Sequence, residues 1–522
     1  MAEIRPFAYR DSATSLSRRG VLGWITASLF IRPHLVSAQD VQKADWNEVR
    51  RIAEEVLAHE SSSNPFPFEQ PDRAVLVNSP RKVFFHYFPP FPLSFSNQPR
   101  GRDHYDDQYL RREGENNRYT NVGGYLRERP MAVGPWQSQF WRQINYAIEI
   151  LRARLTGADG YMVDILRLRS DPSWQRIRLL FDTSAAITRD FHIAPQPDAA
   201  ALKSIKPESL VETLLDLANS PAAYRLHDGR LLVAPFDPET YPPSFWHTVV
   251  DEMAQRGAPI ALLPVFLNPL LHAAAFAPFS YGLSYWGSKD VISVERGNED
   301  SIRRQLGSIS PIFMQPITPQ DARPKSSAFS ESNNTVLFRE LWMKAIQNNV
   351  PYVQVITWND YSESTEISPS SGTQFLFYDL ATYYITWFKT GREPTITRDA
   401  IYYSHRRQIV APGMVVQPGD RPMQLRGATP VHNQIELVAL LTRPAILQIE
   451  IAGKRFERRV RAGLATLQAP ATLGRPVFRI LRNDHAELEK TSDWEIGGQS
   501  DAADPLYVGG SSTRNFCANS QC

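Results

Sequence analysis

Short apolar runs alternate with helix-forming stretches between residues 81 and about 403, and this alternation constrains the fold more than any other feature of the chain. Such alternation is typical of βα units, which build a parallel sheet. The runs predict eight strands: KVFFHYF (82–88), GYMVDIL (160–166), IRLLFDTS (177–184), LLVAPF (231–236), IALLPVF (260–266), SYW (284–286), IFMQPI (312–317) and YVQVIT (352–357). With helical patterns between them, eight strands predict an α/β fold, a (β/α)8 TIM-type barrel with long loops. An open, doubly wound sheet is the alternative, but no glycine-rich phosphate loop follows the first run.

The periodicity changes after residue 405, where short runs of alternating apolar and polar residues are separated by turn residues. This pattern predicts a small antiparallel β-sandwich domain over 406–496. The barrel is expected over 81–405, and residues 39–80 form an N-terminal extension with one predicted helix over 46–59. The Ser-, Gly-, Asp- and Asn-rich residues 497–522 predict a flexible tail.

Paired arginines, Arg18 and Arg19, precede an apolar run over 21–31 and the small-residue pattern VSA at 36–38. These features are typical of a bacterial twin-arginine export signal, so residues 1–38 are predicted to be a signal peptide. The run is too short for a permanent membrane span, and an uncleaved anchor is the alternative. The sequence therefore predicts a periplasmic or secreted protein with no stable membrane insertion after cleavage.

Charge and cysteine content exclude several kinds of partner and chemistry. The 57 basic residues nearly balance the 55 acidic ones, so no net field favours nucleic acid or a membrane surface. Cys517 and Cys522 offer neither a metal-ligand spacing nor a catalytic thiol, and they either pair with each other or stay idle. No GxSxG nucleophile motif is present. Acid–base catalysis by carboxylate groups is therefore the strongest chemistry that remains for this chain, and it needs no cofactor or metal.

The segment VITWNDYSESTE (355–366) puts two carboxylates, Asp360 and Glu363, three residues apart behind the last predicted strand. Glycoside hydrolysis needs one protonated and one ionised carboxyl group. Neighbouring carboxylates repel, which raises the proton affinity of one of them. A DxxE pair alone is more often solvated or structural. Barrel strands, however, end on one face, and further polar residues recur where the predicted strands end: His86, Asp164, Asp182, Asp237, Glu239 and Asn268.

The segment VQVITWNDYSES is similar to the I(I/T)WNDYGES pattern of glycoside hydrolase family 71, the endo-α-1,3-glucanases or mutanases. Weaker matches follow the family's order along the chain: KVFFHYF, LLFDTS, LLVAPFDPETYPPSFW, ALLPVFLNP, FMQPITPQ and YYITWFKTGREPTITRDAIYY. The resemblance covers about 82–403. It implies a (β/α)8 barrel with a β-sandwich accessory domain that cleaves α-1,3-glucan with inversion and without a cofactor.

By position, the resemblance makes Asp360 and Glu363 the catalytic pair. We assign Glu363 as the general acid and Asp360 as the water-activating base, with Asp237 or Glu239 as the alternative base. Sugar binding is implied for the residues at matching positions around the substrate: His86, Asp182, Asp237, Glu239, Trp358, Asn359 and Tyr361. The expected partner is a polysaccharide, with α-glucan as the implied class, while the oligomeric state stays open.

Three departures from the family pattern leave the natural polymer open. Ser362 occupies the position of the family's glycine. The segment 91–136 is unusually long and charged, and the segment ITPQDAR lacks the family's Trp. Loops at this face of a barrel set the shape of the subsites. Two alternative functions follow: a barrel glycosidase for another polysaccharide, and a non-catalytic exported carbohydrate-binding protein. Endo or exo mode and the role of the β domain also stay open.

Overall fold

The computed structural model describes residues 44–60, 66–90, 93, 97, 111–114, 116–131, 133–497 and 501–514. The predicted signal peptide and both cysteines lie outside the described residues. Within the described ranges, no helix combines the length and the apolar character needed to cross a membrane.

The helices of the described residues alternate with strands up to residue 390. They are α1 Trp46–Glu60, α2 Arg73–Asn78, α3 Trp141–Leu155, α4 Trp174–Ile187, α5 Pro207–Ala218, α6 Pro243–Gln255, α7 Pro269–Phe276, α8 Val291–Glu295, α9 Asn298–Gly307, α10 Val336–Gln347 and α11 Leu376–Thr390. The strands are β1 Lys82–Tyr87, β2 Gly160–Ile165, β3 His192–Pro197, β4 Leu231–Val233, β5 Ile260–Leu262, β6 Val265–Phe266, β7 Ser284–Tyr285, β8 Met314–Ile317, β9 Ala322–Arg323, β10 Ala328–Ser330, β11 Tyr352–Val355, β12 Ala400–Arg406, β13 Gln424–Arg426, β14 Gln434–Leu441, β15 Ala445–Ile451, β16 Lys454–Val460, β17 Gly463–Pro470, β18 Val477–Arg482, β19 His485–Thr491 and β20 Tyr507–Ser511.

The central element is a five-stranded parallel sheet in the order β3-β2-β1-β11-β8. β1 lies in its middle, with Phe85 opposite Tyr161 of β2 and Val355 of β11. β2 and β11 are buried along their whole length. Strands buried on both faces are expected where helices cover a parallel sheet. The sheet confirms the predicted βα organisation.

Shorter parallel pairings continue from this sheet. β4 pairs with β5, and β6 pairs with β7. Single parallel bridges join Asp198 to Phe236, Phe236 to Val265, and Leu283 to Phe313. Seven of the eight predicted runs therefore contain a strand with a parallel neighbour.

The predicted strand at 177–184 is wrong, because these residues lie inside α4. The buried residues Ile177, Leu180, Phe181 and Ser184 recur at the period of a helix. The third strand is instead β3, whose sequence HIAPQP contains two prolines and few large apolar residues. Proline is disfavoured inside sheets, which is why the sequence pattern did not indicate a strand there.

Two four-stranded antiparallel sheets form the C-terminal part of the chain, in the orders β17-β14-β12-β20 and β16-β15-β18-β19. One apolar core includes residues from both sheets, among them Leu437, Leu447 and Phe478. This arrangement agrees with the predicted antiparallel β domain.

Both predicted ends of that domain are corrected by the structure. The domain begins with β12, so the predicted boundary at 405 falls inside a strand. Tyr507–Ser511, predicted as part of a flexible tail, pair with β12 as the buried strand β20. A Cβ on Gly509 or Gly510 would lie within 2.6 Å of a neighbouring side chain. These glycines therefore allow close packing, although their composition is typical of disorder.

Candidate active site

Asp360 and Glu363 lie in a compact turn that follows β11. Asp360 N donates to Thr357 Oγ1 at 2.9 Å, and Glu363 N donates to Asp360 O at 3.3 Å. Asp360 Oδ1 accepts two hydrogen bonds from Ser362, from its N at 3.0 Å and its Oγ at 2.7 Å. A positive φ of 52° occurs in this turn at Ser364. Ser362, which replaces the family's glycine, thus adds a side-chain donor that orients Asp360.

Glu363 forms an ion pair with Arg323, whose Nη1 lies 2.7 Å from Glu363 Oε1. Asp321 accepts two further hydrogen bonds from the same guanidinium, from Nε at 2.7 Å and from Nη2 at 2.6 Å. Burial raises the pKa of Glu363, the charge of Arg323 opposes this shift, and the charge of Asp360 adds to it. Glu363 therefore holds a proton more strongly than an exposed glutamate does.

Asp164 at the end of β2 and Asp198 just after β3 extend the acidic cluster. Asp164 is 3% exposed, and its Oδ1 has no hydrogen-bond partner among the described residues. Burial raises the pKa of Asp164 well above its usual range, and the charges of Asp198, Asp360 and Glu363 raise it further. Burial also raises the pKa of Asp198 to about 6, although two backbone N–H groups oppose the shift. Asp164 therefore holds a proton much more strongly than an exposed aspartate does.

His86, at the end of β1, faces this cluster as a neutral ring. Its Nδ1 lies 2.7 Å from Gln196 Oε1, which also accepts a hydrogen bond from Gln354 Nε2 at 2.8 Å. Burial lowers the pKa of His86 to about 4, while Gln196 and Asp360 oppose the shift. A neutral ring that donates from Nδ1 leaves Nε2 as an acceptor for a hydroxyl group.

Trp286, directly after β7, provides a partly buried aromatic ring beside His86. The two ring centroids are 5.0 Å apart in an edge-on arrangement. Lys289 Nζ lies 5.5 Å from the centroid of the Trp286 ring and donates to Thr318 Oγ1 at 2.8 Å. Burial lowers the pKa of Lys289 to about 8. Aromatic rings together with a few polar groups are the usual lining of a ligand site.

Asp237 and Glu239 follow β4, as predicted, but Glu239 has a supporting role. Its Oε1 accepts hydrogen bonds from Leu267 N at 2.9 Å and Asn268 N at 2.7 Å. Glu239 therefore ties the loop after β4 to the start of α7. Burial raises the pKa of Asp237 to about 7, and the charges of Glu239 and Asp198 contribute. Asp237 thus lies on the Asp198 side of the cluster.

Trp358 and Asn359, which the sequence predicts to bind sugar, are buried, and their side chains contact other parts of the protein. Both are 0% exposed. The Trp358 ring packs against Phe85 and Tyr161, at centroid distances of 5.1 and 5.7 Å. The Asn359 side chain binds both backbone groups of Phe88, accepting from N at 2.7 Å and donating to O at 3.0 Å. Their polar and aromatic groups are used inside the protein.

Tyr361 and Asp182, which were also predicted to bind sugar, differ in burial and position from that expectation. Tyr361 is 2% exposed and belongs to an apolar cluster with Tyr119 and Tyr125 from the loop after β1. Asp182 is exposed on α4 rather than at the end of a strand. Of the predicted sugar-binding residues, His86 and Asp237 therefore stay beside the acidic cluster.

Sequence reasoning missed five residues of this site: Asp198, Trp286, Lys289, Asp321 and Arg323. Asp198 follows β3, the strand that its prolines concealed. Trp286 is the last residue of the SYW run. Its position at the end of a predicted strand was a signal that could have identified it as a site residue. Asp321 and Arg323 lie in the segment ITPQDAR. The sequence comparison used only the absence of the family's Trp from this segment and not its two charged residues.

The cluster of carboxyl groups at the strand ends lies within the range matched by a family model, described as Glycosyl hydrolase family 71, over residues 136–501. The chain belongs to glycosyl hydrolase family 71. The match includes the Asp360–Glu363 turn, Asp321 and Arg323, and it extends through most of the β domain. The family 71 resemblance of WNDYSES is therefore confirmed.

Two relatives of this family 71 protein come from Schizosaccharomyces pombe. An ascus wall endo-1,3-alpha-glucanase is 24% identical over 260 residues, which is 45% of this chain and 54% of the relative. The glucan endo-1,3-alpha-glucosidase agn1 is 24% identical over 289 residues, which is 50% of this chain and 66% of the relative. The chain thus spans between about half and two thirds of the length of these two relatives.

A mutanase of Penicillium rubens is 22% identical to this chain over 372 residues, covering 66% of the chain and 80% of the mutanase. Among solved structures, the chain is similar to the GH99 endo-alpha-mannosidase from Bacteroides thetaiotaomicron, with a TM-score of 0.46 and 13% identity. That similarity covers 59% of this chain and 97% of the mannosidase.

Proposed function

We propose that this family 71 protein is an exported glycoside hydrolase that cleaves α-1,3-glucan, with Asp360 and Glu363 as the catalytic pair. The proposal is carried by the turn after β11, where Ser362 orients one carboxyl group and Arg323 binds the other. The names of the relatives support the substrate, because two act on 1,3-alpha-glucan by name and a third is a mutanase.

The proposal includes a closed (β/α)8 barrel. The five-stranded sheet ends at β3 on one side and at β8 on the other. The bridge from Asp198 to Phe236 continues from the β3 side, and the bridge from Leu283 to Phe313 leads to the β8 side. In a closed barrel the carboxyl ends of all strands meet at one face. This geometry accounts for the electrostatic coupling between Asp164, Asp360 and Glu363.

We assign Glu363 as the general acid and Asp360 as the base. Burial and the charge of Asp360 raise the pKa of Glu363, which favours a protonated group that donates to the glycosidic oxygen as the bond from C1 breaks. Asp360 Oδ1 is held as an acceptor by the two donors of Ser362. Asp360 then takes a proton from the water that attacks C1 on the opposite face, and the anomeric configuration inverts.

Arg323 explains how Glu363 can serve as an acid while it is bound by a cation. Asp321 already balances the guanidinium charge through two hydrogen bonds. When Glu363 donates its proton, the resulting carboxylate receives the Arg323 Nη1 hydrogen bond at 2.7 Å. The interaction is stronger with the ionised product of the proton transfer than with the acid, so it favours the transfer.

Asp237 is the alternative base, since it is accompanied by Asp198 and has a pKa of about 7. Its electrostatic neighbours are Glu239 and Asp198 rather than the Asp360 turn. Glu239 is less suited to the role, because one of its oxygens binds two backbone N–H groups. These contacts favour Asp360.

Sugar binding is proposed for His86 and Trp286. The neutral His86 ring can accept a hydrogen bond from a hydroxyl group, and the Trp286 ring beside it offers an apolar surface. Export through the predicted twin-arginine signal is part of the same proposal, because insoluble glucans lie outside the cytoplasm.

The decisive experiment is product analysis by NMR on purified protein with a panel of α- and β-glucans and mannan. We expect turnover of α-1,3-glucan, with the inverted anomer formed first. A retained anomer would contradict the roles of the two carboxyl groups. Turnover of a different polymer would identify a barrel glycosidase of another specificity, and binding without turnover would identify a carbohydrate-binding protein. The matched control is Glu363→Gln, which keeps the size of the side chain and removes its titration.

A further inference from the structure

The segment that carries Asp360 and Glu363 is hydrogen-bonded to the loop after β1, and the loop residues involved, 129–131, lie N-terminal to the range of the family match. An antiparallel bridge pairs Pro130 with Ser370. Met131 N donates to Pro369 O at 3.0 Å, and Ser371 N donates to Arg129 O at 2.8 Å. The loop after β1 and the segment 359–374 therefore form one interface beside the candidate active site.

Two glutamates, Glu128 and Glu366, meet inside this interface, and both are 0% exposed. Ser370 Oγ donates to Glu128 Oε2 at 2.9 Å, and Thr373 Oγ1 donates to Glu366 Oε1 at 3.4 Å. The remaining oxygens, Glu128 Oε1 and Glu366 Oε2, are buried and have no other donor among the described residues. Ser370 Oγ also lies 3.0 Å from Thr373 Oγ1, so these two hydroxyl groups link the two carboxyl groups. The two unpartnered oxygens can bind each other only if one of them carries a proton.

The surroundings of the pair give it no compensating cation within the described residues. Asp504, from the chain just before β20, adds a further negative charge near Glu128. The guanidinium of Arg127 donates hydrogen bonds to Val122 O at 2.6 Å and to Gly124 O at 3.2 Å. Arg407 is paired with Asp504. Two ionised carboxylates in this place would repel each other in a medium of low dielectric constant.

A short path connects Glu366 to the candidate catalytic turn. The residue before it, Thr365, donates from N to Asp360 O at 3.3 Å. Thr365 Oγ1 also lies 3.0 Å from Thr357 Oγ1, the atom that accepts from Asp360 N. A displacement of Glu366 would therefore be passed to Asp360 through direct hydrogen bonds.

We propose that Glu128 and Glu366 are positioning residues that share one proton and thereby hold the Asp360–Glu363 turn against the loop after β1. They do not touch the substrate, and they act through Thr365. The effect on catalysis rests on the proposed function, whereas the shared proton does not.

The protons held by this pair make the interface sensitive to pH, and the first of them to be lost is that of Glu128. Burial raises the pKa of Glu128 from 4.5 to about 7 and that of Glu366 well above its usual range. An acid with a raised pKa stabilises the folded state most at pH values below its unfolded pKa, and this contribution is lost as pH rises towards the folded pKa. The free energy of unfolding should therefore fall between about pH 4.5 and pH 7 on account of Glu128. Full ionisation of the pair at higher pH would separate the two loops.

The test uses Glu128→Gln in the full-length protein, with Glu54→Gln on exposed α1 as the matched control. A glutamine amide donates to the Glu366 carboxylate at every pH, so it replaces the shared proton without changing the size of the side chain. We expect the difference in thermal midpoint between wild type and Glu128→Gln to grow with pH, while kcat at neutral pH stays within about twofold. The wild type should show the infrared carbonyl stretch of a buried carboxylic acid, and this signal should weaken in Glu128→Gln.

A difference in thermal midpoint that is independent of pH, together with an unchanged carbonyl signal, would overturn the shared proton. This outcome is readable even if the protein has no activity on glucan, so it is separate from a failure of the proposed function. Positioning is tested with Glu366→Ala in folded protein, for which we expect kcat to fall about tenfold or more with little change in KM. Glu366→Gln should restore kcat. Equal kcat in wild type and Glu366→Ala would overturn the positioning role.

Discussion

Arg323 Nη1 lies 2.7 Å from Glu363 Oε1, while Asp321 binds the same guanidinium through two other nitrogens. The charge state of Glu363 is therefore controlled by a cation that cannot move away freely. This relationship also distinguishes the two possible roles of Glu363.

Replacing Arg323 by Gln should raise the pKa of Glu363, because the positive charge of Arg323 opposes protonation in the wild type. If Glu363 is the general acid, the alkaline limb of the pH profile of kcat/KM moves to higher pH, since the acid stays protonated longer. The measurement is a kcat/KM profile of both proteins on soluble α-1,3-linked oligosaccharides. Arg323→Lys, which keeps the charge, should leave the limb nearly in place. A shift of the acid limb instead would make Glu363 the base.

Glu363→Gln and Asp360→Asn should each lower kcat/KM by about 10² to 10⁴, the usual contribution of acid–base catalysis. The thermal midpoint should change little, because both amides keep the size of the native side chain. Rates come from reducing-end release on insoluble α-1,3-glucan. Asp182→Asn, on the exposed face of α4, is the control and should have wild-type activity. Wild-type rates in either active-site variant would remove that residue from the mechanism.

The two tryptophans Trp286 and Trp358 should respond differently to replacement by Ala. Trp286 is partly buried beside His86, so its loss should weaken substrate binding by about 0.5 to 1.5 kcal/mol, up to roughly tenfold in KM. Trp358 is 0% exposed, so its loss should lower the free energy of unfolding by about 3 to 5 kcal/mol. Isothermal titration calorimetry measures the effect on substrate binding, and thermal unfolding measures the effect on stability. An increase in KM without destabilisation in Trp358→Ala would instead support the predicted sugar contact of Trp358.

His86 should titrate with a pKa of about 4, because burial disfavours its charged form. Between about pH 6.5 and pH 4 the unfolded chain binds a proton that folded His86 does not, so this residue lowers the free energy of unfolding as pH falls. The imidazole signals can be followed by NMR and assigned with His86→Gln. Titration near 6.5 would show that the ring is solvated and not held by Gln196.

Removing residues 507–522 should destabilise the β domain strongly, because β20 pairs with β12 along its whole length. The exposed edge of β12 should also promote aggregation. Thermal unfolding and light scattering measure both effects. Truncation after residue 514 is the control, since it keeps β20. Equal midpoints for the two truncated proteins would mean that β20 contributes nothing to stability.

Seven predicted strand positions were recognisable because buried parallel strands are apolar over their whole length, whatever lies around them. β3 was not recognisable, because HIAPQP is stabilised by its pairing with β2 along its whole length rather than by its own composition. The same reason explains β20, whose glycines were read as disorder but are required by close packing against β12. Local sequence has no information on such neighbours.

The sequence by itself indicated the family, through WNDYSES, and it predicted Asp360 and Glu363 as a catalytic pair, because their spacing behind a strand is a local property. Only the tertiary structure decided which other residues join them. Trp358 and Asn359 are as near to the pair in sequence as residues can be, yet both are buried away from it, whereas Arg323 reaches Glu363 from 40 residues away. Side-chain direction and long-range contacts depend on how strands and loops pack against each other, and this packing is established only in the complete fold.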